Sequence, residues 1–110
     1  MFFKKKRKKY IYALRRLDTD NYVYIGQSFE PEQRLLSHIK ESVTNKHSNK
    51  RLQDWILRTI RANSMIVIDI LEEVEENIAN EVEKEYILYF KSKKHRLFNI
   101  ADPTSRYGRI

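Results

Sequence analysis

The chain has 110 residues, 34% of them charged, no cysteine and a formal net charge of +7. Such a length makes one compact domain with a modest core, and the missing cysteines exclude a disulfide framework and thiolate metal sites or nucleophiles. No apolar run approaches the ~18 residues of a membrane span, a secretory signal would need its basic run before the apolar stretch instead of after Met1-Phe2-Phe3, and a soluble cytoplasmic protein is the expectation.

Lys4, Lys5, Lys6, Arg7, Lys8 and Lys9 carry six of the seven net charges, which leaves 16 bases against 15 acids elsewhere. A block of like charge repels itself into extended chain, so residues 1–9 are expected to form a basic disordered arm whose use is contact with nucleic-acid phosphates. A nuclear-import signal has the same composition, which leaves a nuclear location open. The body is polarised as well: residues 69–85 hold eight acids against Lys84, and residues 91–110 hold six bases against Asp102. One acidic and one basic face suit a protein that holds a polyanion in a defined orientation.

Tyr10 to Leu17 and Tyr22 to Ile25 are rich in aromatic and branched residues, and Asp18-Thr19-Asp20-Asn21 between them supplies turn chemistry. This pattern predicts a β-hairpin. With Leu17 opposite Asn21, the period of two turns Tyr10, Tyr12, Tyr22, Tyr24 and Gly26 to one face.

Glu30-Pro31 opens a helix, with Leu35, Leu36 and Ile39 as its buried stripe. Arg34 and His38 lie four apart beside that stripe and so can reach a common ligand. His47-Ser48-Asn49 reads as a polar connection, and a second helix carries Leu52, Trp55, Ile56 and Ile60 before ending at Asn63-Ser64. Met65 to Leu71, broken by Asp69, has the length and apolarity of a buried central strand.

A last helix is predicted from Asn77, as N-cap, to about Lys91, with Ala79, Val82, Tyr86, Ile87 and Phe90 as its apolar stripe. Glu83 falls inside that stripe, where an unpaired carboxylate is costly and asks for a cation. Leu97-Phe98-Asn99 follows, the domain closes near residue 102, and residues 103–110 are expected to be a mobile tail. His47 and His95 sit in polar connections and carry no functional expectation. The fold class expected is α/β, a small three-stranded sheet flanked by helices in the order ββααβα, spanning residues 10–102.

The triplets Tyr10-Ile11-Tyr12 and Tyr24-Ile25-Gly26, with Arg34 ten residues after Tyr24, His38 a turn later, Glu83 four residues before Ile87, and Asn99 after Leu97-Phe98, resemble the catalytic core of the GIY-YIG nuclease superfamily. One position departs from its pattern: the glycine that opens the first triplet is Tyr10 here. The resemblance implies a DNA endonuclease that uses Mg²⁺ or Mn²⁺, with Glu83 as metal ligand and Tyr12, Tyr24, Arg34, His38 and Asn99 as the catalytic set.

That set is chemically sufficient for metal-assisted phosphodiester hydrolysis. A single carboxylate suits Mg²⁺, which keeps several waters, and a guanidinium matches phosphate oxygens. Tyr12 or Tyr24 would orient and deprotonate water, and the sequence does not choose between them or against His38 assisting the water or supporting the phosphate instead. Two other functions fit the same residues: a non-catalytic nucleic-acid-binding module, and a structure-specific repair nuclease. No separate DNA-reading domain follows residue 110, so specificity is expected to be low, to come from a protein partner or dimer, or to have been lost in truncation.

Overall fold

The computed structural model describes residues 7–99. The elements run β1 (Lys8–Arg16), β2 (Tyr24–Ser28), α1 (Pro31–Val43), α2 (Lys50–Arg61), β3 (Ile66–Glu75) and α3 (Ala79–Ser92), with a 3-10 turn over Glu76–Ile78 leading into α3. This is the ββααβα order of a small α/β fold. Among the described residues no helix is long and apolar enough to cross a membrane.

The antiparallel sheet has the order β2-β1-β3. β1 is therefore the central strand, and the run around Met65 to Leu71, expected in the middle, forms an edge. The reason lies in burial on two faces. Ile11, Tyr12, Ala13 and Leu14 are all buried, whereas Ile70 in β3 is 50% exposed. A continuous apolar run mimics a central strand here because the β1–β3 register slips by one residue between Ile11 and Tyr12, leaving Leu71 outside the pairing. The slip turns Ile66 and Ile68 toward one layer of helices and Leu71 and Val74 toward the other.

The hairpin keeps the expected register, with Tyr12 opposite Gly26 and Leu14 opposite Tyr24. Beyond that point the pairing loosens, and Val23 N–H donates to Leu14 O at 2.9 Å. Val23 and Tyr24 consequently face the same layer, and Tyr22 is sent to the opposite face. Tyr22 does not share the face of Tyr12 and Tyr24. It packs edge-on to Phe90 with ring centroids 5.0 Å apart, and its hydroxyl donates to Asp69 Oδ2 at 2.9 Å.

Two clusters form the core, one on each face of the sheet. Ile11, Ala13, Ile25 and Val74 pack with Ala79 and Ile87 of α3, while Tyr12, Leu14 and Val23 pack with Leu52, Trp55 and Ile56 of α2. Each fully buried large side chain contributes about 1.5–3 kcal/mol. α2 starts cleanly because Asn49 Oδ1 accepts from Leu52 N–H at 3.1 Å. The stripes are narrower than expected: Leu36 is 59% and Ile60 40% exposed, with His38 and Thr59 turned inward instead. Asn77 lies in the 3-10 turn and caps nothing, so α3 begins two residues later.

The basic arm is shorter than the composition suggested. Lys8 and Lys9 belong to β1, opposite Glu75 and Val74, and Arg7 O accepts from Glu76 N–H at 2.9 Å. Self-repulsion does not hold these residues off as a free arm because the acidic end of β3 runs alongside them, with Lys8 Nζ 3.9 Å from Glu75 Oε1. Lys4, Lys5, Lys6 and residues 103–110 lie outside the described residues.

Candidate active site

Tyr12 stands at the centre of the sheet's helical face, where β1 crosses Gly26 of β2 and α1 passes above. A Cβ on Gly26 would meet the Tyr12 hydroxyl and lie 2.5 Å from its Cζ. Space for the phenol ring, with no demand on backbone φ, is therefore the reason for glycine here. His38, fully buried on α1, closes the other side: its Nε2 lies 2.8 Å from Tyr12 Oη. Tyr24, one strand over, meets the same imidazole edge-on with centroids 5.4 Å apart and lies 6.3 Å from the Tyr12 ring. The expected constellation of Tyr12, Tyr24, Arg34 and His38 is thus assembled around one point.

Electrostatics at that point follow from burial. The Tyr12 phenol is pushed well above the ordinary tyrosine range, first by burial and then by Tyr24, while the nearby Arg34 guanidinium pulls it back through its charge and a hydrogen bond. Burial and the field of Glu83 raise Tyr24 as well, again with Arg34 opposing. Tyr24 thus disfavours an anion at Tyr12 beside it, and Arg34 is the group that favours one. Arg34 is itself steadied by Glu41, with Nη1 3.4 Å from Oε2.

His38 is held neutral. Burial, then Arg34 and His47, take its pKa down to about 3. Its second nitrogen, Nδ1, lies 2.7 Å from Nε2 of His47, and the two rings stack with an interplanar angle of 14°. His47, which the sequence placed in a bland connection, is in fact 2% exposed. The loop around it is tied down by its own amides: Asn49 N–H donates to His47 Nδ1 at 2.9 Å, and His47 N–H donates to Gln53 Oε1 at 3.1 Å. Burial also lowers the His47 pKa, with Glu41 opposing. Spacing carries no sign of this residue; the one available hint is the run of Asn and Gln partners on either side of it.

Glu83 belongs to the other face of the sheet, on α3. Its carboxyl is raised above the usual range by burial, with a Gln27 hydrogen bond and the Lys9 charge working against that. Gln27 ties the corner together, accepting from Lys9 Nζ at 2.9 Å and donating to Asn80 Oδ1 at 2.8 Å. Neither Gln27 nor the inward role of Lys9 was visible in the sequence, because Lys9 reads as the end of the arm. A partly buried carboxylate whose cationic relief is incomplete fits a hard divalent cation that brings its own waters. Elsewhere, His38, Glu41 and His47 put one donor atom each within 4.8 Å of one another.

Asn99 reaches β2 from beyond α3. Its Oδ1 accepts from Ile25 N–H at 3.1 Å and its Nδ2 donates to Ile25 O at 2.8 Å. Both ends of the amide are thereby taken up by the backbone next to Tyr24, as a further strand residue would be. On the opposite side of the sheet's edge, the Arg7 guanidinium lies 3.7 Å from the centroid of Phe29, and Lys9 Nζ lies 4.9 Å from it. This is a cationic and aromatic corner beside Gln27.

A family model described as the GIY-YIG catalytic domain matches residues 8–96. No curated protein and no solved structure matches the chain.

Proposed function

Because the chain belongs to the GIY-YIG nuclease superfamily, we propose that it is a divalent-metal-dependent endonuclease that hydrolyses DNA phosphodiester bonds through Tyr12, Arg34, His38 and Glu83. The observation that carries this is the Tyr12 hydroxyl, 2.8 Å from His38 Nε2 and within the field of Arg34, which favours its anion, on a ring that only a glycine opposite can accommodate.

Tyr12 is the better choice of the two tyrosines for handling water. Hydrogen bonds from cationic or N–H donors favour a phenolate, and the donors gathered around Tyr12 are what a buried phenol needs to lose its proton. With Tyr12 as the phenolate, the attacking water passes a proton to Oη as its oxygen bonds to phosphorus, and the bridging oxygen leaves with the other strand segment as an alkoxide that takes its proton from solvent. Arg34 faces the charge that grows on the non-bridging oxygens, a task its fork of donors suits. Tyr24 packs edge-on against the same imidazole as a neutral phenol.

Glu83 would hold Mg²⁺ or Mn²⁺, which supplies charge neutralisation at the scissile phosphate. Asn99 positions β2, and through it Tyr24, by its paired bonds to Ile25. Arg7, Lys8 and Lys9, together with Lys4, Lys5 and Lys6, would supply phosphate contacts that set affinity more than sequence choice.

The test is incubation of the purified chain with supercoiled plasmid and with branched oligonucleotides, with Mg²⁺ or with EDTA, beside Arg34→Ala and Glu83→Ala. Nicking that requires the metal and both side chains is the expected result. Equal binding by all variants with no cleavage of any substrate would leave a binding module in its place.

A further inference from the structure

His47 has no part in the reaction just proposed, yet it is buried, and its two nitrogens both meet partners. Asn49 supplies a backbone N–H, which can only donate, to His47 Nδ1 at 2.9 Å. A neutral imidazole carries one proton, so the proton of His47 must be on Nε2. That nitrogen lies 2.7 Å from His38 Nδ1, which must then accept. The proton of His38 is left on Nε2, 2.8 Å from Tyr12 Oη, and the phenol oxygen is the acceptor. The opposite polarity would require His47 to accept at both nitrogens, which is an imidazolate.

We propose that His47 is a positioning residue that fixes the direction of the chain Asn49–His47–His38–Tyr12, so that His38 donates to the Tyr12 oxygen and does not serve as the base that removes its proton. This rests on the nuclease reading for its catalytic consequence, but not for the tautomers. The surroundings agree with it. Glu41 Oε1 lies 3.9 Å from His47 Nε2, where an N–H is welcome. Arg34 and Lys50 discourage a second proton on His47, and the Asn49 N–H occupies the one nitrogen that could take it.

Two consequences follow for the site. As a phenol, Tyr12 accepts from His38 and turns its own O–H away from the imidazole; as a phenolate, it keeps that donor. The proton of Tyr12 therefore does not leave through the histidines. The second consequence concerns His38, Glu41 and His47 as metal donors: His47 Nε2 would have to give up a proton that its other nitrogen has no room to hold. The two histidines act as a line of N–H donors, with Glu41 beside them as an acceptor.

The experiment has an arm that needs no turnover. Two-bond ¹H–¹⁵N correlation of the imidazole rings, on the full chain without metal or DNA, should show His38 and His47 both protonated at Nε2. A proton on Nδ1 of either ring overturns the proposal, whether or not the chain cuts DNA. In the second arm, His47→Leu removes the donor, and kcat for plasmid nicking should fall roughly ten- to hundredfold with KM changed less than about twofold, as for other residues that orient a working histidine. His47→Gln offers an amide N–H near the place of Nε2 and should recover most of that loss. If a folded His47→Gln is no better than His47→Leu, or if the His38 tautomer is the same in His47→Leu as in the native chain, His47 is only packing.

Discussion

Gly26→Ala tests the site where fold and chemistry meet. The new methyl carbon would lie 2.5 Å from Tyr12 Cζ and 2.9 Å from Cε2. Ordinary carbon contacts begin near 3.5 Å, so the ring or strand β2 must give by about 1 Å. Yet the Tyr12 ring is 1% exposed and tied to His38, and a shift of that size compresses or breaks the 2.8 Å bond. Overpacking of this kind costs about 1–3 kcal/mol and a lost hydrogen bond about 1 kcal/mol, against an unfolded-state gain of about 0.4–1 kcal/mol for replacing glycine. A net loss of about 1–3 kcal/mol corresponds to a Tm lower by roughly 5–15 °C in a domain of this size. Thermal unfolding followed by circular dichroism, with plasmid nicking in parallel, measures both effects. Repeating the substitution in a Tyr12→Ala background isolates the contact, because there the methyl group enters vacated space and should be neutral or stabilising. The reasoning fails if Gly26→Ala costs less than about 0.5 kcal/mol, within the range of an ordinary surface change, or costs the same in both backgrounds.

Three further outcomes are expected. Glu83→Gln should abolish metal-dependent nicking while raising Tm by roughly 2–5 °C, because the buried carboxylate is destabilising when ionised and its raised pKa means stability is lost as pH rises through its titration; an unchanged or lower Tm at pH 7 with normal folding would contradict the burial cost. His38 titrates near 3 in the fold against about 6.5 unfolded, so its contribution is intact above about pH 6.5 and fades on acidification at up to ~1.4 kcal/mol per pH unit, or about 2–3 kcal/mol by pH 4.5. Denaturant unfolding across that range should give a steeper pH slope for the native chain than for His38→Gln, with Glu83 acting in the opposite sense in both proteins. Asn99→Leu removes both bonds to Ile25 and should cost about 1–3 kcal/mol while leaving DNA affinity unaltered; a loss of affinity with unchanged stability would move Asn99 from β2 to the substrate.

Much of the site was legible because its residues lie on regular elements. Tyr12 and Tyr24 share a face through the period of two, and Arg34 and His38 through the helical spacing of four. Glu83 stood out as a carboxylate in an apolar stripe. What escaped was whatever depended on long-range pairing or on loops. Lys8 and Lys9 read as repelling chain until Glu75 and Glu76 are placed beside them. Met65 to Leu71 read as a central strand because apolarity along the chain does not reveal that a register slip divides it between two faces. His47 sits in a connection without periodicity, and its burial depends on amides of Asn49 and Gln53 that only the folded loop brings to it. Tyr22 left its expected face because the turn loosens after Tyr24 pairs with Leu14.

The raised phenol of Tyr12 and the raised carboxyl of Glu83 run against the proposed reaction, which needs negative charge on both. They share a cause and a remedy. Burial disfavours each anion, and the Glu83 field raises both tyrosines. A divalent cation at Glu83 would cancel that field and reverse its sign at Tyr12, lowering the cost of the phenolate while it satisfies the carboxylate. On the proposed function, occupation of Glu83 and ionisation of Tyr12 would therefore be linked through space, although the two residues lie on opposite faces of the sheet. Glu83→Gln removes the opposing charge without restoring a cation, so both phenols, Tyr24 more than Tyr12, should titrate below their native metal-free values. Ultraviolet difference titration of the tyrosines, native against Glu83→Gln, detects that shift. A Tyr12 titration that does not move would show that the two anions do not sense one another, and the coupling of metal to base would have to be abandoned.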